Sequence, residues 1–291
     1  MSEWSVHEHA IPRESIGAQF LVTNALDAAV AALMRDTARA VILPRYQQLA
    51  AHEVNAKAAD DMVTIADTEA EAMLASGLAK LLPEAAIVGE EGTHADPTLA
   101  DRLGDSLCWI IDPVDGTNNF AAGHPPFGII VALAEAGETI AGWIYDPLTD
   151  RLCSARRGGG AFINGERLYA RATGAVPPVL ASSSMFLTDA QREMRDTYIS
   201  PHYTVVNIPR CAAEQYPRLV TGVNDLSSFQ RTLAWDHAAG ALFVNEAGGK
   251  VARIDGSPYR VDEHGRPGLI AAATPALFDA FAARIAAIPR G

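Results

Sequence analysis

Between Ser106 and Arg156 four short apolar runs follow one another with no helical spacing among them: Ser106–Asp112, Phe127–Glu135, Glu138–Tyr145 and Arg151–Arg156. Turn-forming residues, Asp146-Pro147-Leu148-Thr149-Asp150, separate the last two, so the stretch predicts consecutive strands of an antiparallel-leaning sheet. Gly158-Gly159-Gly160 and Asn164-Gly165 predict a further hairpin. Such a sheet must bury its apolar faces against other elements, and the flanking sequence supplies them. From Asn24 to about Leu49, apolar residues recur at Leu26, Val30, Leu33, Met34, Ala38, Val41 and Ile42, the spacing of one long amphipathic helix. A second helix is predicted to begin near Thr68, with Glu71 completing a capping box, and to stop before Pro83.

After about Ala170 the order alternates. Val179–Ser183 reads as a strand, Asp189–Thr197 as a helix, Thr204–Ile208 as a strand and Ala212–Val220 as a helix. His237–Glu246 is a helix stopped by Gly248-Gly249, Leu269–Ala273 a strand, and Pro275–Ala287 a last helix. The expected class is layered α/β (α+β) with two sub-domains, 1–170 and 171–291.

A chain of 291 residues is long enough for two moderate units sharing a cleft. No apolar run reaches the ~18 residues that span a bilayer, and residues 1–15 lack the basic start and apolar stretch of a secretory signal. Cys108, Cys153 and Cys211 are far apart, odd in number and without metal-site spacing, which points to a reduced, cytoplasmic protein. The net charge of -12 and the absence of a Lys/Arg stripe argue against a duplex nucleic-acid binder. The acidity does not exclude a phosphorylated ligand if part of it holds cations, because a bound divalent ion inverts the local field.

The segment Asp112-Pro113-Val114-Asp115-Gly116-Thr117-Asn118-Asn119-Phe120 concentrates that possibility. The strand before it delivers two aspartates into a turn, with Pro113 fixing the backbone between them and Gly116 admitting a close approach. Carboxylates held this near repel unless a cation lies between them, and hard oxygen ligands suit Mg²⁺. Asp-Pro and Asp-Gly alone mark only turns. The whole run, strand before and Gly-Thr-x-Asn-Phe after, is far more specific.

At this segment the sequence resembles the inositol monophosphatase-like family of Mg²⁺-dependent, lithium-sensitive phosphatases. Three other pieces fall in the family's order: Val88-Gly89-Glu90-Glu91, Met62-Val63-Thr64-Ile65-Ala66-Asp67, and Trp235-Asp236-His237-Ala238-Ala239-Gly240 followed by Glu246-Ala247-Gly248-Gly249. The resemblance implies an α-β-α-β-α sandwich of the inositol monophosphatase/fructose-bisphosphatase type, a homodimer, and hydrolysis of a small soluble phosphomonoester by metal-activated water. It implies that Glu90, Asp112 and the Val114 carbonyl hold one Mg²⁺. Asp112, Asp115 and Asp236 would hold a second, and Glu90 with Asp67 would support a third through waters. Thr117, bonded to Asp67, would orient and deprotonate the water, while the N–H groups of Gly116 and Thr117 cradle phosphate. The first sub-domain would carry most ligands, the second Asp236 and the substrate-selective side.

Each satellite has a plainer reading. Glu90-Glu91 is also an exposed acidic pair by type, Asp67 a cap for a helix at Thr68, and Asp236 a cap that can bind metal as well. Lys57 is placed equally by the cluster or in solvent; His237 reads as structural, since hard cations prefer oxygen. His7, His9 and His52 have no ligand spacing, and Gly158-Gly159-Gly160 lacks the Lys-Ser/Thr of a phosphate loop.

Inositol-selective members resemble one another in a Glu seven residues before the second-signature aspartate, where this chain has Phe229, and in a Gly-Thr/Ser-Ala patch, where the corresponding stretch reads Arg210-Cys211-Ala212-Ala213-Glu214-Gln215. The resemblance therefore implies phosphatase machinery with a pocket unlike that for inositol. Histidinol phosphate, sugar bisphosphates and adenosine 3′,5′-bisphosphate are the alternatives, and a non-catalytic phosphometabolite-binding protein is the remote one. Glu214 or Gln215 is expected to meet an amine or hydroxyl and Arg231 a second anionic group, and Arg210 is expected among the residues that bind substrate or its phosphate.

Overall fold

The computed structural model describes residues 23–58, 61–183, 185 and 187–288. Expectations on residues 1–15, including His7 and His9, lie outside the described residues.

Helix α1 (Asn24–Thr37) starts at Thr23, whose hydroxyl accepts the Leu26 N–H at 3.2 Å. It does not continue as one α-helix to Leu49. The backbone widens into a π turn at Ala38–Ile42 and tightens at Leu43–Arg45. Pro44 has no N–H to give the Ala40 carbonyl, so regular α bonding cannot pass through it. A ribbon of β1 (Val54–Ala58) and β2 (Asp61–Thr64) leads into α2 (Ile65–Leu81). The predicted start at Thr68 is corrected: Thr64 is the N-cap, and Asp67 supplies the reciprocal carboxylate of the capping box.

Next come β3 (Ala86–Gly89), α3 (Glu90–Ala95), β4 (Cys108–Asp115) and α4 (Thr117–Ala121). Four antiparallel strands follow in sequence order, β5 (Gly128–Glu135), β6 (Glu138–Asp146), β7 (Arg151–Arg156) and β8 (Gly160–Ile163), and β9 (Glu166–Leu168) closes the sheet. Its seven strands run in the order β3-β4-β5-β6-β7-β8-β9, parallel only at β3-β4. The two glycine-containing segments form the expected hairpin turns. Asn164 and Gly165, at φ 50 and 82, make the two-residue turn between β8 and β9.

The remaining elements are β10 (Val179–Ser182), α5 (Asp189–Met194), β11 (Thr204–Val206), α6 (Ala212–Val220), β12 (Leu226–Phe229), α7 (Ala234–Glu246), β13 (Lys250–Arg253), β14 (Leu269–Ala272) and α8 (Pro275–Ala286). The second sheet has the order β11-β10-β12-β14-β13. Strands β3, β12 and β13 are each four residues long, too short to announce themselves by periodicity.

Burial sets the layers. Leu26, Val30, Met34, Leu74 and Leu78 of α1 and α2 pack on Trp109, Ile111, Val131 and Trp143 of the first sheet. The opposite pleat, with Ile110, Ile130 and Ile144, meets Tyr216 and Leu219 of α6 and Ala238, Ala239 and Leu242 of α7. The second sheet covers the far side of α7, and Phe278 and Phe281 of α8 close its outer face over Leu180, Leu226 and Ile270. The result is the expected α-β-α-β-α sandwich. Gly142 lets α7 lie close on the first sheet, since a Cβ there would come 2.7 Å from Ala239 Cα.

Candidate active site

Strand β4 runs through Pro113 to Asp115, where the sequence predicted a strand end at Asp112. Asp112 faces Ile130 and Asp115 faces Gly128, so three steps on β4 match two on β5. The extra residue is a β-bulge. Along a regular strand, residues three apart point to opposite faces; the bulge resets that alternation and lets both carboxylates emerge together. Asp112 Oδ1 accepts the Val114 N–H at 3.1 Å across the bulge. Gly116 follows at φ 86, and a Cβ there would sit 2.9 Å from the Pro126 carbonyl oxygen, so only glycine fits. The turn is stitched on both sides: Asn118 Oδ1 accepts the Met62 N–H at 3.1 Å, and Asn119 Nδ2 donates to the carbonyls of Pro126 and Pro209 at 2.9 and 3.1 Å.

Asp236, in the first turn of α7, arrives from the other layer, and carboxylate oxygens of Asp112, Asp115 and Asp236 lie within 4.8 Å of one another. Glu90 opens α3 and lines the same cavity, whose volume is about 440 Å³. Glu71 is not a capping-box residue of α2. Its carboxylate accepts the N–H groups of Glu91 and Gly92 at 2.8 and 2.7 Å and so anchors the start of α3. Lys57 of β1 lies at the cluster, its ammonium 3.0 Å from Glu90 and 2.6 Å from Glu91. Asp67 is buried; its Oδ2 accepts from the N–H and hydroxyl of Thr64 at 2.8 and 2.6 Å, and Thr117 Oγ1 lies 3.0 Å from its Oδ1. Asp115 in turn accepts the Ala213 N–H at 2.5 Å, which ties the first turn of α6 to the bulge.

These carboxylates are crowded in a dry place. Burial first, then the charges of Glu90, Asp115, Asp236 and Asp67, push the Asp112 carboxyl well above its usual range. Burial also raises Asp115, against the opposing pull of the Ala213 N–H, and raises Asp67 to about 7. Glu71 and Glu91 are shifted upward by burial as well. A set of buried oxygens that resists ionisation in the absence of positive charge fits a hard divalent cation, which is bound by carboxylate and carbonyl oxygens. No cysteine or histidine interrupts the three-carboxylate group.

Residues 23–290 match the family model described as "Inositol monophosphatase family". The chain belongs to the inositol monophosphatase family. Among its relatives, the "Nus factor SuhB" of Pseudomonas aeruginosa is 32% identical over 223 residues, covering 75% of this chain and 81% of that protein. The "Inositol-1-monophosphatase" of Rhizobium meliloti is 33% identical over 209 residues, covering 68% of this chain and 74% of that protein. Among solved structures, the Thermotoga maritima IMPase superposes with a TM-score of 0.74 at 26% identity, covering 92% of this chain and all of that one (100%).

Beside the carboxylates, this inositol monophosphatase family member presents a different set of side chains. Arg210, Gln215, Phe229, Arg231 and His237 line the cavity. Phe229 stacks on Tyr216 at 5.5 Å and meets the His237 ring edge-on at 4.8 Å. His237 is structural in its bonding: Tyr216 Oη lies 2.7 Å from Nδ1 and the Arg231 carbonyl 3.0 Å from Nε2. Burial lowers it to about 4, so the ring is neutral, with Nε2 donating and Nδ1 accepting. Glu214 does not join the cavity residues. Arg151 and Arg218 hold its two oxygens at 2.6 and 2.7 Å. The reason lies in Pro217, which leaves the Ala213 carbonyl without its helical donor; Arg151 reaches that carbonyl at 3.4 Å and meets Glu214 on the way. The glycine run Gly158-Gly159-Gly160 holds a carboxylate of the chain itself, donating from Gly158 and Gly160 to Glu246 at 2.7 and 2.8 Å.

Proposed function

We propose that this chain is a Mg²⁺-dependent phosphoric monoester hydrolase acting on a small soluble phosphorylated metabolite. The observation that carries the reading is the convergence of Asp112, Asp115 and Asp236 within 4.8 Å, beside the Gly116–Thr117 turn in an open cavity. Family membership supports it independently.

In this reading Glu90, Asp112, the Val114 carbonyl, Asp115 and Asp236 hold two Mg²⁺, with Glu90 and Asp67 supporting a third. When bound, Mg²⁺ supplies positive charge to the transferring phosphoryl group and acidifies the attacking water. Asp67, through Thr117 Oγ1, takes the water's proton. The N–H groups of Gly116 and Thr117 face the phosphate oxygens. Residues 1–170 are the unit carrying most ligands, and 171–291 the unit supplying Asp236 and the substrate-selective wall. A homodimer in the cytoplasm completes the proposal, and light scattering tests its oligomeric part.

A second reading, binding without turnover, is favoured by the relative named a Nus factor. The presence of Asp67, Thr117 and every expected carboxylate side chain weighs against it. Phosphate release from histidinol phosphate, inositol 1-phosphate, sugar bisphosphates and adenosine 3′,5′-bisphosphate, with and without Mg²⁺, separates the two. Hydrolysis of at least one compound supports the enzyme; tight binding of a compound without release supports the binder.

A further inference from the structure

Arg210 is exposed at the cavity with its backbone in the left-handed region, φ 55. Glycine takes that conformation freely and arginine does not, so the position carries a backbone cost. Three of the other non-glycine residues at positive φ, Ala136, Asp150 and Asn164, sit in hairpin turns where the chain must reverse, and Gln47 follows a helical turn. Arg210 sits in no hairpin. Its two sides are tethered instead: the Pro209 carbonyl accepts from Asn119 at 3.1 Å, and the Ala213 N–H donates to Asp115 at 2.5 Å. The carboxylate bulge thus holds this strained residue in a fixed place.

Among the described residues no ion pair or hydrogen bond engages the Arg210 guanidinium, although the chain has a net charge of -12. Most other arginines are paired: Arg151 with Glu214, Arg260 with Asp262, Arg266 with Glu263 and Asp255. Phe229, on the same cavity, presents an aromatic ring that stacks on Tyr216 and offers a hydroxyl no acceptor. On the wall away from the carboxylates, an unpaired guanidinium beside an aromatic ring favours a negatively charged group over a neutral polyol.

We propose that Arg210 is a specificity-determining residue that selects phosphomonoesters whose alcohol part carries a second anionic group, a phosphate or a carboxylate. The inference rests on the hydrolase reading for its substrate, and on the local geometry for the residue.

The test uses matched pairs with the whole chain and Mg²⁺: fructose 1,6-bisphosphate against fructose 1-phosphate, and 3-phosphoglycerate against glycerol 3-phosphate. Release kinetics and equilibrium binding are measured for both pairs. The wild type prefers the doubly anionic member of at least one pair, and the pair that responds names phosphate or carboxylate. Arg210→Gly lowers that preference about 10- to 100-fold, as expected for loss of a charged hydrogen bond, and Arg210→Lys lowers it less because the fork is lost and the charge kept. The preference also weakens as salt is raised. Glycine suits the local backbone, so Arg210→Gly melts no lower than wild type. Absence of preference in both pairs, or a preference that Arg210→Gly leaves unchanged, overturns the proposal. Equal losses for both members also overturn it and assign Arg210 to the reacting phosphate. If no compound is hydrolysed, the enzyme reading fails, and the binding ratios still decide the role of Arg210.

Discussion

Thr117 Oγ1 lies 3.0 Å from Asp67 Oδ1 and 2.9 Å from the Val114 carbonyl oxygen, two acceptors competing for one hydroxyl proton. With Asp67 ionised, the proton goes to the carboxylate and the Val114 oxygen is left open to a cation. With Asp67 protonated, the carboxyl can donate to Thr117, which then donates to Val114 and closes the proposed ligand position. The charge on Asp67 and the availability of Val114 are therefore linked through a single hydroxyl.

Asp67→Asn breaks that link. It removes the proton acceptor and supplies an amide that cannot be driven to a charged state. Turnover is expected to fall by about 10²- to 10⁴-fold, the usual worth of a positioned acid or base, with a weaker apparent affinity for Mg²⁺. Steady-state kinetics across a Mg²⁺ titration check both. Turnover within about threefold of wild type would take Asp67 out of the proton path.

The shifts of the buried carboxylates set a pH dependence for the metal-free protein. Burial raises Asp67 from 3.8 to about 7, and Asp112 and Asp115 move in the same direction. Above the unfolded value the folded chain keeps protons that the unfolded chain has released. The stability these groups contribute is thus complete in acid and lost as pH rises through the folded value. Melting of the metal-free protein should fall between about pH 5 and about pH 8, and Mg²⁺ should raise it more at the higher pH. A Tm that climbs across this range without metal would show that the carboxylates are not strained by their crowding.

Gly116→Ala tests the turn. The added Cβ would meet the Pro126 oxygen at 2.9 Å on a backbone at φ 86. A loss of about 1–3 kcal/mol is expected from strain at such a site. Gly158→Ala is the comparison, at φ 70 with nothing within 4 Å of the new atom, and should cost less. Urea unfolding of both variants gives the difference; equal losses would mean that the close approach at Gly116 is unimportant.

Tyr216→Phe removes the donor 2.7 Å from His237 Nδ1 and leaves a buried acceptor without a partner. The expected cost is about 1–3 kcal/mol. Because His237 also holds the Arg231 carbonyl at 3.0 Å, substrate KM should rise more than kcat falls. A variant as stable as wild type would show that water replaces the hydroxyl.

Much of this site is visible in the sequence because its residues fall in contiguous runs. The strand, Pro113, Gly116 and the flanking aspartates carry local signals that need no partner to be read. The bulge does not, since it exists only relative to Gly128 and Ile130 on the neighbouring strand. Asp67 and Glu71 each stand three residues after a threonine, so both match a capping box, and only the fold shows that Thr64 is the cap while Glu71 serves α3. Of the two partners of Glu214, Arg218 stands four residues on and is a local signal, whereas Arg151 is 63 residues away and only the fold brings it in. Lys57 stayed undecided for the same reason, its carboxylates lying 33 and 34 residues on. Long-range pairing, more than element type, separates what was legible from what was not.

The Asp112, Asp115 and Asp236 cluster is proposed to be a divalent-cation site that drives phosphate release. The most direct measurement is phosphate release by wild type and Asp115→Asn with Mg²⁺ and after chelation, together with Mg²⁺ binding by calorimetry. The asparagine keeps an oxygen for the Ala213 N–H, so the fold should stand while the site loses a charged ligand. Wild type should release phosphate with Mg²⁺ only, and the variant should bind Mg²⁺ more weakly and release none. Release that survives chelation, or an Asp115→Asn variant that binds Mg²⁺ and turns over like wild type, would contradict it.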